Sequence, residues 1–224
     1  MGKLQKLLLT AFLLGGIFLS GTVAALTIPG PIPGPLDIDF RLGDWSGANG
    51  AHEFSFGDVQ AIALWNKYLY QDTTDGLGIL GGEPDEINYC EKLKVNLGLD
   101  PDEGIYVSGV WITDLYKAPD GAGDYGEEGR VTLKLVGGTF VSFDFFGKDA
   151  DQANGEILVN FGMPYLVDKA FFYILGEPCN NEFSVAGFNT PVPEPATMLL
   201  LGSGLIGLAG VGRRKFRKIA DKLF

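Results

Sequence analysis

Oxygen-bearing side chains crowd three stretches of this 224-residue sequence. KDADQANGE brings together Asp149, Asp151, Asn154 and Glu156; LDPDEG holds Asp100, Asp102 and Glu103; PDGAGDYGEE holds Asp120, Asp124, Glu127 and Glu128. Hard cations such as Ca2+ take their ligands from such oxygens, often in a D-x-D-x-[DN]-G loop. KDADQANGE departs from that form by one residue, and the twelfth position from Asp149 is Asn160 rather than Glu. Asp and Gly also dominate plain surface turns, because they tolerate the backbone angles that turns need. The expectation is therefore no resident cofactor and no assigned metal ligand, with Ca2+ as the ion these turns leave open. One histidine and two cysteines are too few for a structural zinc site.

Catalytic patterns are missing. There is no G-x-S-x-G, P-loop, H-E-x-x-H or dinucleotide fingerprint. Acids are plentiful enough for a glycosidase-type carboxylate pair, but abundance does not place one acid beside another. His52 is the one histidine; it lies in a Gly-rich loop and reads as an exposed loop residue. Trp65, Trp111 and Tyr116 could stack on sugar rings, although side chains of this size more often fill a core.

Both ends of the chain carry membrane-type patterns. Lys3 and Lys6 precede an apolar run from Leu7 to about Gly21, and Val23-Ala24-Ala25 supplies small residues for cleavage after Ala25. Basic, then apolar, then small is the layout of a secretory signal peptide, which places the rest of the chain in an oxidising compartment. Cys90 and Cys179 are thus expected to pair, closing a loop long enough to stabilise by roughly 4 kcal/mol. At the other end, Ala196–Gly212 is apolar and punctuated by glycines, and Arg213, Arg214, Lys215, Arg217 and Lys218 follow. As a helix those 17 residues span roughly 25 Å, just short of a hydrocarbon core of about 30 Å. The basic cluster would stay on the cytoplasmic side.

Net charge separates accordingly. Residues 26–195 hold 27 of the 28 acids and nine of the 17 basic residues, giving 9 − 27 = −18, against −11 for the whole chain. So acidic a segment disfavours nucleic acid as a partner.

Pro193-Glu194-Pro195, the glycine-bearing apolar span and the basic end, in that order and after an N-terminal signal, resemble the PEP-CTERM sorting signal of bacteria that produce exopolysaccharide. The resemblance covers about residues 191–218. It implies recognition near the PEP motif by an exosortase, a membrane-embedded cysteine peptidase, and delivery of the exported part to the cell surface or extracellular matrix. It says little about what that part binds, since such signals are attached to unrelated domains. Proline at 191, 193 and 195 keeps the approach to the membrane extended, as a processing enzyme requires.

Everything between these ends must position the acids, aromatics and cysteines. Residues 26–35, LTIPGPIPGP, read as an irregular Pro/Gly lead-in, and 36–190 as one exported domain. GIYVSGVWITDLY, RVTLKLV, GTFVSFDFF, GEILVNFG, LVDKAFFYILG and EFSVAGF alternate like strands and are separated by turn residues. The expected fold is mainly β, an antiparallel sandwich or jelly roll with one or two short helices. The helices are expected over GDVQAIALWNKYLYQ, capped by Asp58, and GEPDEINYCEKLKVNLG, opened by Pro84, with Trp65 and Tyr68 also fitting a strand. The predicted function is a non-enzymatic surface or matrix protein, with exopolysaccharide as a candidate associate; the alternative is an exported polysaccharide-active hydrolase or carbohydrate-binding module.

Overall fold

A computed structural model describes residues 26–81, 86–100, 103–117, 126–176 and 181–191. The chain divides into two compact units, Met1–Thr190 and Pro191–Phe224. Of the second, Pro191 alone is among the described residues, so the signal peptide to Ala25, the span 196–212 and the basic stop 213–218 lie outside them. Among the described residues no helix is long and apolar enough to cross a membrane.

The domain is mainly β. Its strands are β1 (Leu26–Pro29), β2 (Ile38–Asp39), β3 (Glu53–Phe56), β4 (Val59–Ala63), β5 (Tyr68–Asp72), β6 (Gly76–Leu80), β7 (Leu93–Leu97), β8 (Ile105–Thr113), β9 (Glu128–Leu135), β10 (Phe140–Phe146), β11 (Ile157–Ile174) and β12 (Ser184–Asn189). All pair antiparallel in one sheet, whose main path runs β3-β4-β7-β11-β8-β12-β6-β5.

β11 organises the whole. Sequence alternation suggests two strands broken at Gly162-Met163-Pro164, yet the chain runs through as one strand of 18 residues. Its first half pairs with β1 and β8, its second with β7 and β9, and the register slips between Asn160 and Tyr165 and again between Val167 and Lys169. Gly162, at φ +77°, takes a left-handed conformation that a side chain would resist. Such bulges bend a strand and let it pass from one layer to another. The layers then face each other: Phe172 of β11 meets Phe188 of β12 at 5.9 Å, Phe143 of β10 stacks on Phe161 at 4.7 Å, and Phe145 meets Phe183 at 4.9 Å. These rings are buried, and each contributes roughly 1.5–3 kcal/mol of apolar burial.

A loop seam nearly closes the far edges. The Gly50 N–H donates to Leu69 O (3.0 Å), the Leu69 N–H to Ala51 O (2.7 Å), and the Ala63 N–H to His52 O (2.9 Å), so residues 50–52 stitch β5 to β4. Asn49 adds an acceptor for the Gln71 N–H at 2.5 Å. Closure of this kind satisfies edge groups that would otherwise invite pairing.

Neither expected helix forms where described. Over 59–63 the burial alternates, with Val59, Ala61 and Ala63 inside. VQAIA fits both periods, and pairing with β3 and β7 decides for strand. Trp65 and Asn66 then take φ of +58° and +62° in a tight turn, and β5 begins at Tyr68. Pro84 lies outside the described residues, but Ile87 bridges Phe183, Cys90 sits in a turn at φ +64°, and LKVNL is β7 with Leu93, Val95 and Leu97 buried. The helical pieces present are 3-10 turns at Gly43–Ala48 and Gly147–Asp149. In β8 the alternation also breaks: Val107, Val110 and Ile112 join the main core, while Trp111 packs outside it with Leu36 and Ala186. The break falls at Ser108-Gly109, where the β11 register shifts.

Residues 26–35 are woven into the domain rather than leading up to it. Leu26–Pro29 pairs with Asn160–Ile157, and Ile32 and Leu36 cover Trp111. Asp39 pins this segment: its carboxylate accepts the Leu36 N–H (3.1 Å), the Arg41 N–H (3.0 Å) and the Arg41 guanidinium (2.9 and 2.8 Å).

Candidate functional site

The acids singled out from sequence separate into a set that turns inward on its own backbone and a set that gathers. KDADQANGE belongs to the first. Its Asp151 accepts the Ala153 N–H (3.1 Å), the Glu156 carboxylate accepts the Ile32 N–H (3.0 Å), and the Gly155 N–H closes the turn on Asp151 O (2.6 Å). These carboxylates act as backbone caps. Asp100 and Glu103 frame another turn, the Glu103 N–H donating to Asp100 O at 3.0 Å; Asp102, Asp120 and Asp124 lie outside the described residues.

The second set forms around Glu127. The end of β8 and the approach to β9 meet here: the Glu127 N–H donates to Tyr116 O (3.1 Å), and the Glu127 carboxylate accepts the Tyr116 N–H in return. Gly147 makes room, since its N–H donates to Glu127 O (2.7 Å) and a Cβ there would stand 2.1 Å from Tyr116 O. Glu127 is 9% exposed. Burial, reinforced by the charges of Glu182 and Asp114 and only partly offset by the Tyr116 N–H, pushes its carboxyl up to about 8. Tyr116 is raised too, by its own desolvation and then by Asp114, Asp75, Glu127 and Glu86. One rim of the domain thus concentrates negative charge around a carboxyl that burial holds well above the usual carboxylate range.

That arrangement has a chemical meaning. A carboxyl held protonated near other carboxylates is the electronic state of a general acid. Its geometry points elsewhere, because the Glu127 side chain is spent on clamping the base of the 117–126 loop. Among the described residues no three His, Cys, Asp or Glu side chains are arranged to hold a metal ion. The rim was invisible in the sequence: Asp75, Glu86 and Glu182 come from separate segments, and the 76–77, 87 and 183–185 pairings unite them.

The aromatic trio does not assemble. Trp65 is 63% exposed at the β4–β5 turn, Trp111 is buried under Leu36, and Tyr116 sits at the acidic rim. His52 is not an exposed loop residue; it is half-buried at the seam and stacks on Tyr68 at 4.5 Å. Cys90 is exposed and its thiol is free in this structure, while Cys179 lies outside the described residues. Pro193, Glu194, Pro195, Arg213, Arg214, Lys215, Arg217 and Lys218 also fall outside them. What the domain does show is where the chain leaves it: the Thr190 N–H donates to Asp37 Oδ2 at 2.8 Å, one residue before Pro191.

A mainly β domain held to its last residue, then a proline-spaced exit, defines a module followed by a terminal address. Residues 191–215 match the family model of the PEP-CTERM protein-sorting motif. The chain is a PEP-CTERM domain-containing protein, of the kind sorted to the exterior by exosortase. No curated protein matches the sequence. Among solved structures, a two-domain protein of unknown function from Bacteroides fragilis NCTC 9343 is similar over 63% of this chain and 46% of that one, at 14% identity and a TM-score of 0.36. The chain spans less than half of that protein's length, and so slight a likeness carries no weight for fold or function.

Proposed function

We propose that the protein is a non-enzymatic component of the cell surface or extracellular matrix, held in the membrane by Ala196–Gly212 until exosortase acts near Pro193-Glu194-Pro195. The sorting motif at 191–215 carries this reading. Arg213–Lys218 serves as the cytoplasmic stop, and the glycine-rich span is a weak permanent anchor but an adequate temporary one. The released domain works without a cofactor, is tied by a Cys90–Cys179 bridge and associates with exopolysaccharide, its exposed Trp65 being the available stacking surface.

The test of the main reading is the size and location of the protein in cells with and without the processing enzyme. Wild-type protein loses its RRKFRK tail only where the enzyme is present. Glu194→Ala leaves export and insertion intact, since it changes neither the apolar run nor the basic end, and accumulates as the uncleaved form in the membrane fraction. A wild-type chain that keeps its tail in both cells makes the span a plain anchor.

A further inference from the structure

The outer face of β3, β4, β7, β11, β9 and β10 differs in charge from the rest of the domain. Strand register sets its side chains in rows. Lys94 is opposite Phe171, Phe171 opposite Thr132, and Thr132 opposite Ser142. In the row to one side Asn96, Lys169 and Lys134 are neighbours; in the row to the other, Tyr173 is opposite Arg130 and Arg130 opposite Asp144. The residues that alternate with these, among them Val95, Ala170, Phe172, Val131 and Leu133, fill the core, so the rows point outward, half-buried. Lys92, Lys94, Arg130, Lys134 and Lys169 are five of the nine basic residues of 26–195. Four acids share the face: Asp144, the buried Asp168 and, at the margins, Glu53 and Glu128. The face is thus 5 − 4 = +1, and the remainder of 26–195 is 4 − 23 = −19. Its cations differ in how they are held. Arg130 is spent on Asp144. Lys134 and Lys169 share the single carboxylate of Asp168, at 2.6 and 3.2 Å, which leaves one positive charge over. Lys92 rests on ring faces, its Nζ 4.6 Å from the centroid of Tyr173 and 5.2 Å from that of Phe171; this fixes its place without neutralising it. Among the described residues neither Lys92 nor Lys94 has a carboxylate within 4.0 Å. Hydroxyls interleave with the charges: Thr132 Oγ1 is 2.9 Å from Ser142 Oγ and 3.2 Å from the Tyr173 hydroxyl.

We propose that this face binds an acidic polysaccharide, whose carboxylates seat on Lys92, Lys94 and the charge that Lys134 and Lys169 hold in surplus. The inference rests on the reading, given above, that the protein associates with exopolysaccharide, and it names the chemical class and the surface. Charge complementarity carries it. Five strand steps make the face about 24 Å wide, a long, shallow platform for an extended chain. Lys92 and Lys94 are two residues apart on β7, about 7 Å along the strand, so the free cations are spread out rather than packed together. Lysine acts as a point charge, which suits single carboxylates borne on successive sugar rings, and the hydroxyls beside the lysines suit the rings themselves. A nucleic acid, with a charge for every ~1.7 Å of duplex, would also meet the −19 of the surroundings. A sparse polyanion would meet mainly the local lysines, because fields are screened over about 8 Å at physiological ionic strength. Burial and the Lys169 charge hold Lys94 below its ordinary value, and an anion on the face would offset both. The turn that carries Trp65 follows directly on Leu64, whose N–H donates to Lys92 O at 3.0 Å, so the stacking residue borders the charged face.

The experiment titrates the full chain, in neutral detergent, with polygalacturonate, dextran, a single-stranded oligonucleotide and the exopolysaccharide of the producing cells. A chelator is present so that no divalent cation bridges carboxylates. The expected result is tighter binding of polygalacturonate and exopolysaccharide than of dextran or oligonucleotide, weakening as salt is raised. Lys92→Gln with Lys94→Gln weakens that binding about tenfold, as the loss of two partly exposed ion pairs should. Lys92→Arg with Lys94→Arg keeps the charge and the binding. Lys117→Gln, which removes an exposed lysine beside Gln152, changes binding less than about twofold. Unchanged urea midpoints show that the variants are folded. Polygalacturonate binding that the Gln pair leaves intact overturns this inference alone. So does equal binding of dextran, tighter binding of the oligonucleotide, or a chain that takes the exopolysaccharide but not polygalacturonate. A chain that binds none of these glycans overturns the association reading and this inference with it.

Discussion

Asp39 and Glu127 are both buried carboxylates that accept backbone N–H groups near the start of a strand, yet their surroundings drive them in opposite directions. Burial alone would raise both. At Asp39 the Arg41 guanidinium and the Leu36 and Arg41 N–H groups outweigh it, and the carboxyl falls below its ordinary value. At Glu127 one N–H stands against desolvation and two neighbouring acids, and the carboxyl rises to about 8. The same residue chemistry is thus a fastening in one region and a standing cost in the other. The difference is one cation in place and two anions out of place.

The comparison breaks first at Asp39. Asp39→Ala leaves the Arg41 guanidinium, the Leu36 N–H and the Arg41 N–H without their acceptor, and removal of one partner from a buried pair costs about 3–5 kcal/mol. Urea unfolding at pH 7 measures this, and a loss under about 1 kcal/mol would show that the lead-in is only loosely held. Because the folded carboxyl is depressed, its contribution is present above the unfolded value near 3.8 and disappears as pH falls through the folded one.

Next in size is the proposed Cys90–Cys179 bridge. Reduction of exported protein is expected to cost about 2–4 kcal/mol, with the greatest effect on the loop that joins β11 to β12. Alkylation of non-reduced material followed by mass spectrometry checks the pairing directly; two alkylated thiols would rule it out. The exposed Cys90 at φ +64° is reachable by a partner without repacking the core.

How far these features could be read from sequence follows from the range of the interactions. The tail was legible because its information is linear: proline spacing, an apolar run and a basic end need no partner elsewhere in the chain. Strands with one apolar face, such as Val131/Leu133 and Phe143/Phe145, were legible for the same reason. VQAIA was not, because its period is ambiguous and the partner strands β3 and β7 decide it. The run through Gly162-Met163-Pro164 was hidden by turn-like composition that in fact makes a bulge. The Glu127 rim depended on pairings between distant segments, and nothing local distinguishes Glu127 from Glu128 beside it.

The effect that is smallest at acid pH is the one that isolates the rim. Glu127→Gln keeps an acceptor for the Tyr116 N–H while removing the ionisable group. In the wild type the folded carboxyl titrates near 8 and the unfolded one near 4.5, so the folded state holds more protons between those values. Stability must then fall as pH rises through that window. At pH 6 the gap of one and a half units corresponds to about 2 kcal/mol, at 1.36 kcal/mol per unit. Below pH 4.5 both states are protonated and the term vanishes. The variant should therefore match the wild type near pH 4 and exceed it by about 2 kcal/mol at pH 6, with the gap widening toward pH 8. Urea midpoints across pH 4 to 8 provide the comparison, at constant ionic strength so that the charges of Glu182 and Asp114 are screened alike throughout. Parallel profiles for the two proteins would mean that water reaches Glu127 in the folded state, and the rim would then be an ordinary solvated acidic surface.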